Sequence, residues 1–261
     1  MSKDINKLLY DYYYDYYKIQ LGLRDYDERI KNRLNEESLF AKPNLNKLEY
    51  LLNYDFKDKR ILVVGGGTGA EVIALSLMNA NVYVVEPNKE AIEIIKQKCL
   101  LHNLSENKIK LGVAEQIKFD DNFFDFVYCF TVIEHVQNVE KSIKEMIRVV
   151  KKDGYIYINT PDYRQYYEAH YKMYLPLSFP KFLIKIILLV NKKPTKFVDS
   201  LQFVNARQLK NIFKRNNVIA SQYFFPYEYP EKKQYGWKKK IRNIQDKKEI
   251  EQNQFWILRK Q

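Results

Sequence analysis

An unbroken apolar run, Ile61-Leu62-Val63-Val64, passes straight into Gly65, Gly67 and Gly69, and a second apolar run, Val82–Val85, ends in Glu86. A strand buried on both faces of a parallel sheet reads as a continuous apolar run rather than an alternating one. Glycines at its end let the backbone turn sharply and approach a ligand that a Cβ would exclude. An acidic residue about 20 positions after the first glycine, at the tip of the next strand, is placed to accept hydrogen bonds from ribose hydroxyls. The two segments together point to a nucleoside-bearing ligand. The spacing of Gly65, Gly67 and Ala70 also satisfies the G-x-G-x-x-G/A dinucleotide fingerprint, so the loop by itself admits NAD.

The rest of the chain falls into three parts. Residues 1–56 carry Leu8, Leu9, Tyr12, Tyr13, Tyr16 and Ile19 at three- and four-residue steps, a helical pattern. Its tyrosines suit either packing onto the body or a lid whose hydroxyls face a substrate. Residues 57–160 alternate strand and helix, with strands predicted at 60–64, 81–86, 108–113, 125–130 and 155–160 and helices near 69–79, 88–102 and 138–151. The sequence Lys151-Lys152-Asp153-Gly154 reads as the end of the last helix, with cations at its C-terminus and a glycine to turn. Such alternation predicts a parallel sheet covered on both faces, with ligands beyond the carboxyl ends of the strands. Residues 161–261 hold an aromatic, proline-punctuated stretch at 161–205, a helix near 206–216, and two strand-like segments, Val218–Tyr227 and Gln254–Arg259, that read as a closing pair at one sheet edge.

Composition narrows the partners. A 261-residue chain with 46% hydrophobic residues can build a sizeable core without disulfides or metals, and Cys99 and Cys129 read as buried free thiols. The opening residues lack the apolar core of a signal peptide, and the longest apolar run, Phe182–Val190, is too short to span a bilayer, so a cytoplasmic protein is expected. The net charge is +12, and one basic loop within 228–252 is locally denser in cations, with eight lysines and arginines from Lys232 to Lys248. Such a patch attracts anionic partners, although a solvated loop explains it as well.

Taken in order, ILVVGGGTGAE, VYVVEPN, GVAEQIKFDDNFFDFVYCFTVIEHVQN and RVVKKDGYIYINTPD resemble the successive motifs of class I S-adenosylmethionine-dependent methyltransferases. The resemblance covers about 60–162. It implies an α/β, Rossmann-like, seven-stranded and mostly parallel sheet with an antiparallel last strand and helices on both faces. An N-terminal helical lid over 1–56 and an inserted aromatic lid segment at 161–205 would complete the methyltransferase domain at 57–261. More loosely, YYKIQLGLRDYDERIKNRL and residues 162–213 resemble methyltransferases of bacterial surface-polysaccharide and sugar-modification pathways.

The cofactor implied is S-adenosylmethionine. By this resemblance Gly65, Gly67 and Gly69 would bring backbone against its methionine and ribose portions. Glu86 would accept from the ribose hydroxyls and Pro87 would line the adenine. Ala114 and Glu115 would lie beside the adenine, and Thr131 and Val132 would border the sulfonium. Two positions depart from the family pattern: Val63 stands where an acidic residue is common, and Val113 where an Asp often precedes the Ala-Glu pair.

His135 follows Glu134 directly after the fourth strand, at the edge where a methyl group would sit, and its ordinary pKa suits a general base at neutral pH. His170, in YYEAHYKMY, is a second catalytic candidate, and Tyr13, Tyr17, Tyr163 and Tyr167 are candidate substrate contacts. No metal is expected. The function expected is methyl transfer to a small-molecule acceptor, anionic or nucleotide-linked, at a hydroxyl of a sugar or surface-glycan precursor. The alternatives are methylation of nucleic acid or protein, suggested by the basic loop, and a non-catalytic binding module, suggested by Val63 and Val113.

Overall fold

The computed structural model describes residues 5–34, 40–223 and 253–261. The basic loop between Lys232 and Lys248 lies outside the described residues. Helices α1 (Ile5–Tyr14), α2 (Tyr26–Arg33) and α3 (Lys42–Leu52) lead in, with a π-helical turn at Asp15–Gln20 continuing α1. The alternating part follows: β1 (Arg60–Val64), α4 (Ala70–Leu77), β2 (Asn81–Glu86), α5 (Lys89–Leu101), β3 (Ile109–Leu111), β4 (Phe124–Phe130), α6 (Val139–Val149) and β5 (Val150–Pro161). A short hairpin of β6 (Tyr167–Glu168) and β7 (Met173–Tyr174) precedes α7 (Lys181–Val190), α8 (Phe197–Ser200) and α9 (Ala206–Arg215). The sheet is completed by β8 (Val218–Tyr223) and β9 (Asn253–Lys260).

The main sheet has seven strands in the order β3-β2-β1-β4-β5-β9-β8. Strands β1 to β5 pair in parallel, while β9 runs antiparallel between β5 and β8. The expected mostly parallel sheet with its antiparallel closing strand is therefore present. Chain order reverses between β1 and β4, which opens a crevice beyond their carboxyl ends.

Side chains alternate across the sheet with period two. Leu62, Val64, Val127, Cys129, Ile156, Ile158 and Trp256 face one core, with Ile143 and Met146 of α6 and Leu209 and Phe213 of α9. Ile61, Val63, Val84, Phe126, Tyr128 and Tyr157 face the other, with residues of α3, α4 and α5. Each such side chain contributes about 1.5–3 kcal/mol when fully buried. Both cysteines are buried and free. A third core joins α1, the π-helical turn and α2 to the segment Tyr163–Leu201. The N-terminal 56 residues thus divide their packing: α1 and α2 meet the aromatic insertion, while α3 seals the sheet.

One local expectation is corrected. Helix α6 ends at Val149, and Val150 already pairs with Phe124. The residues Lys151–Gly154 form an irregularity inside β5, since the next pairing is Tyr155 with Phe126. Asp153 has φ +60°, and a Cβ on Gly154 would fall 2.8 Å from Val150 Cγ2. The glycine turns a strand here, not a helix end. The apolar run Phe182–Val190 forms α7, and among the described residues no helix is long and apolar enough to cross a membrane.

Candidate active site

The glycine loop closes the carboxyl end of β1. Gly65 has φ +71°, and a Cβ there would fall 2.3 Å from Val132 Cγ2. The loop and the segment after β4 can meet only because the side chain is missing. Gly67 has φ +51°, and a Cβ on it would meet nothing within 4 Å. The loop opens there onto free space. Gly69, at φ +87°, starts α4 against Ile95.

Glu86, almost fully buried at the tip of β2, holds this loop. Its Oε2 accepts from the Gly67 N–H at 2.9 Å and its Oε1 from the Asn88 N–H at 2.8 Å. Burial pushes its pKa up, and the Asn88 and Gly67 amides pull it only part of the way back. Each carboxylate oxygen has a second lone pair, so the group can still accept from a vicinal diol. An open cradle beside a clamped carboxylate suits the ribose of a nucleoside.

The residues expected at the adenine side differ in their surroundings. Pro87 is exposed and Ala114 buried, but Glu115 Oε1 accepts from Gln137 N at 2.6 Å and Asn138 N at 3.1 Å, at the start of α6. Val113 is exposed in a bridge with Gln116, and Val63 lies in the core.

At the far side of the crevice the chain leaves β4 through Thr131, which has φ +53° and donates its N–H to Asn159 O at 2.9 Å. A β-branched residue in this conformation is strained by roughly 1–3 kcal/mol and marks a functional turn more often than a passive one. Glu134, three residues on, has no exposed surface. Its Oε2 accepts from Thr160 Oγ1 at 2.9 Å, its Oε1 has no partner, and burial pushes its pKa up to about 7.

The structure brings the two predicted histidines together. The rings of His135 and His170 lie 5.3 Å apart, and the Phe197 ring sits 5.6 Å from the first and 5.1 Å from the second. His135 opens to solvent along one edge, yet the protein packed around it, and then His170, pushes its pKa down. His170 Nδ1 is 2.7 Å from Glu168 Oε1, and Glu168 Oε2 accepts from Tyr171 N. Burial pulls His170 down, but the Glu168 hydrogen bond and charge outweigh it and leave the pKa raised.

The tyrosines are dispersed. Tyr13 places its hydroxyl 2.7 Å from Thr68 Oγ1 on the glycine loop. Tyr17 stacks on Tyr13 and accepts from Arg33 Nε at 2.9 Å. Tyr163 is buried and stacks on Phe203, and Tyr167 meets Tyr174 across the small hairpin. The Phe197 ring beside the histidines is also met by Tyr16, at 5.8 Å, and by Tyr171, at 6.1 Å. The sequence reading named neither Tyr16 nor Glu134, Thr160 and Glu168 as site residues. The available signal was an acid one place before His135 and another two places before His170.

Residues 62–158 match the family profile described as "Methyltransferase domain". The matched segment holds both the glycine loop and the Glu134–His135 turn. An uncharacterized methyltransferase, YcgJ, of Bacillus subtilis is 29% identical over 97 residues, 37% of this chain and 38% of that protein. A ubiquinone biosynthesis O-methyltransferase of Rickettsia prowazekii is 28% identical over 135 residues, 49% of this chain and 53% of that protein. The chain thus spans about half or less of the length of these relatives. Among solved structures, a SAM-dependent methyltransferase of Archaeoglobus fulgidus superposes with TM-score 0.56 at 17% identity, covering 87% of this chain and 98% of that one. The cofactor expectation, S-adenosylmethionine, is borne out by this set of relatives and neighbours.

Proposed function

We propose that the chain is an S-adenosylmethionine-dependent methyltransferase whose acceptor is the hydroxyl of a small molecule, a sugar or surface-glycan precursor, nucleotide-linked or otherwise anionic. The observation that carries this reading is the junction of Gly65 with Val132, which sets a nucleoside cradle directly against the turn bearing His135. The relatives' printed role in ubiquinone O-methylation supports a hydroxyl acceptor. The sugar is supported by the similarity of residues 10–34 and 162–213 to sugar-modifying methyltransferases.

S-adenosylmethionine, when bound, supplies a methyl group already activated as a sulfonium. The chain's own residues then bind and align. Glu86 takes the ribose hydroxyls on the lone pairs left free by Gly67 and Asn88. Gly65 and Gly67 present backbone, Pro87, Ala114 and Glu115 flank the adenine, and Thr131 and Val132 border the reacting end. Tyr13, held on Thr68, covers the loop and excludes water. Holding nucleophile, methyl carbon and sulfur in line is worth about 7–11 kcal/mol of barrier. Removing the acceptor's proton adds a factor of roughly 10²–10⁴. We assign that end to His135 and His170, whose rings lie 5.3 Å apart beside the turn that follows β4.

Titration calorimetry with S-adenosylmethionine and its demethylated product tests the reading. Binding of either in the micromolar range, weakened in Glu86→Ala, supports it. Absence of binding to both overturns it in favour of a binding module that has lost its cofactor. Incubation with labelled S-adenosylmethionine and fractionated metabolites then identifies the acceptor.

A further inference from the structure

The histidine pair has a third member whose chemistry proton transfer alone leaves unexplained. Glu134 is fully buried, and its Oε1 is a charged-type acceptor with no donor. Leaving such an atom unpaired inside a protein is costly. One ligating atom each from Glu134, His135 and His170 all lie within 4.8 Å of one another. Metal–ligand bonds of about 2.0–2.2 Å place neighbouring ligand atoms roughly 3–4 Å apart, so the three side chains need only small rotations to converge.

Their outer partners point the same way. Glu168 holds the Nδ1 of His170, which leaves Nε2 available as a ligand. Thr160 holds Oε2 of Glu134, which leaves the unpartnered Oε1 available as well. Carboxylates and hydroxyls that grip a ligand from behind, fixing its tautomer and direction, are the usual surroundings of a metal ion. His135 is exposed, which leaves room for a fourth ligand from outside the protein.

We propose that Glu134, His135 and His170 form a binding site for a divalent transition-metal ion. Two imidazoles with one carboxylate favour ions such as Zn²⁺, Co²⁺, Mn²⁺ or Fe²⁺ over Mg²⁺, which prefers oxygen. Three protein ligands with one open position match a catalytic rather than a structural site. Resting on the reading above, the ion acts as a Lewis acid toward the acceptor hydroxyl. With both imidazoles ligating it, the ion takes over from them the task of activating the hydroxyl: the O–H bond breaks and its proton passes to solvent. The O–CH₃ bond forms as the S–CH₃ bond breaks, and the ion keeps its oxidation state.

The test uses the tag-free full chain after chelator treatment, titrated with Co²⁺ and then Zn²⁺ under visible spectroscopy and calorimetry. About one equivalent of Co²⁺ should bind with a ligand-field spectrum of mixed nitrogen and oxygen ligation, and Zn²⁺ should displace it. Affinity should fall by about 100-fold or more in His170→Ala and in Glu134→Gln, and by about 10–100-fold in Glu168→Gln, where the ligands remain. His102→Ala should change nothing. Because Glu134 is buried, the spectrum of the unaltered chain and the Glu168→Gln variant keep the test independent of a folding defect. No stoichiometric binding to the unaltered chain, or equal affinity in folded His170→Ala, overturns the site. Calorimetry with S-adenosylmethionine runs in parallel. Metal binding without cofactor binding upholds this site and defeats the methyltransferase reading, and the reverse defeats this site alone.

Discussion

The hydroxyl of Tyr13 lies 2.7 Å from Oγ1 of Thr68, joining the first helix to the glycine loop across 55 residues of sequence. Both groups are buried, so removing one leaves the other with a lost partner. Tyr13→Phe is expected to destabilise the fold by about 1–3 kcal/mol. It should also weaken binding of the demethylated cofactor, since the loop loses its cover. Urea denaturation and calorimetry on the same preparation check both effects. A variant that loses stability but keeps full affinity would show that the contact serves packing alone.

Gly65 and Gly67 should respond unequally to alanine. Both have positive φ, which costs an alanine about 1–2 kcal/mol. At Gly65 the new methyl also collides with Val132, an overpacking cost of about 1–3 kcal/mol more. At Gly67 the methyl enters open space. Gly65→Ala should therefore melt at clearly lower temperature, whereas Gly67→Ala should stay folded and lose cofactor affinity. Equal melting temperatures would refute the steric assignment.

Glu86 makes cofactor affinity depend on pH. Its pKa in the folded chain is raised by burial, so it takes up a proton at higher pH than an ordinary glutamate. Ribose hydroxyls donate to the ionised form, and binding therefore favours the deprotonated chain. Affinity should be full at neutral pH and decline as pH falls through the raised pKa, above the ordinary value of about 4.3. In Glu86→Gln the profile should be flatter and the affinity lower throughout. Calorimetry across that acid range reads the difference, and parallel profiles would exclude Glu86 as the ribose acceptor.

Arg148 clamps the loop that follows the adenine side. Its guanidinium reaches Glu145 at 2.8 and 2.9 Å, Asp121 at 2.6 Å, and the carbonyls of Ile117 at 2.7 Å and Phe119 at 2.9 Å. Arg148→Ala should cost about 1–3 kcal/mol, because hydrogen bonds to a charged group are lost with their carbonyl partners. The Arg148 hydrogen bond chiefly, against some desolvation, lowers the pKa of Glu145. A depressed carboxyl contributes stability that is present above the unfolded value and is lost as pH falls through the folded one. Below about pH 4 the unaltered chain should thus lose part of its advantage over Arg148→Ala, measured by denaturation at each pH.

Most of the sheet was legible because it rests on local patterns. Asn81–Glu86 forms β2 over the very range its apolar run predicts, and Gly65–Gly69 turn where the glycines stand. Strand β3 is shorter than the predicted 108–113, since Val113 is already drawn into a bridge with Gln116. The start of β5 was missed because a bulge mimics a helix stop. The site was legible only in part, for a definite reason. The π-helical turn at Asp15–Gln20 shifts the angular phase of the residues after α1. Tyr16 consequently reaches Phe197 while Tyr17 turns to Arg33, an outcome that counting in threes and fours cannot supply. Glu134 was hidden because its partner Thr160 stands 26 residues on, and Glu168 because the turn of a small hairpin brings it to His170.

The position of β9 bears on how the protein is made. Seven residues of β5, Tyr155–Pro161, find their outer partners in a strand that begins only at Asn253. At roughly 5–20 residues per second, the ribosome needs on the order of 5–20 s to deliver it. Throughout that interval β5 presents an open edge able to recruit any passing strand. Thr160, which fixes Glu134, lies on that edge. The wall that carries Glu134 therefore matures only after β9 is made, and a chaperone that shields nascent edges should raise the yield of folded protein more than it raises total expression.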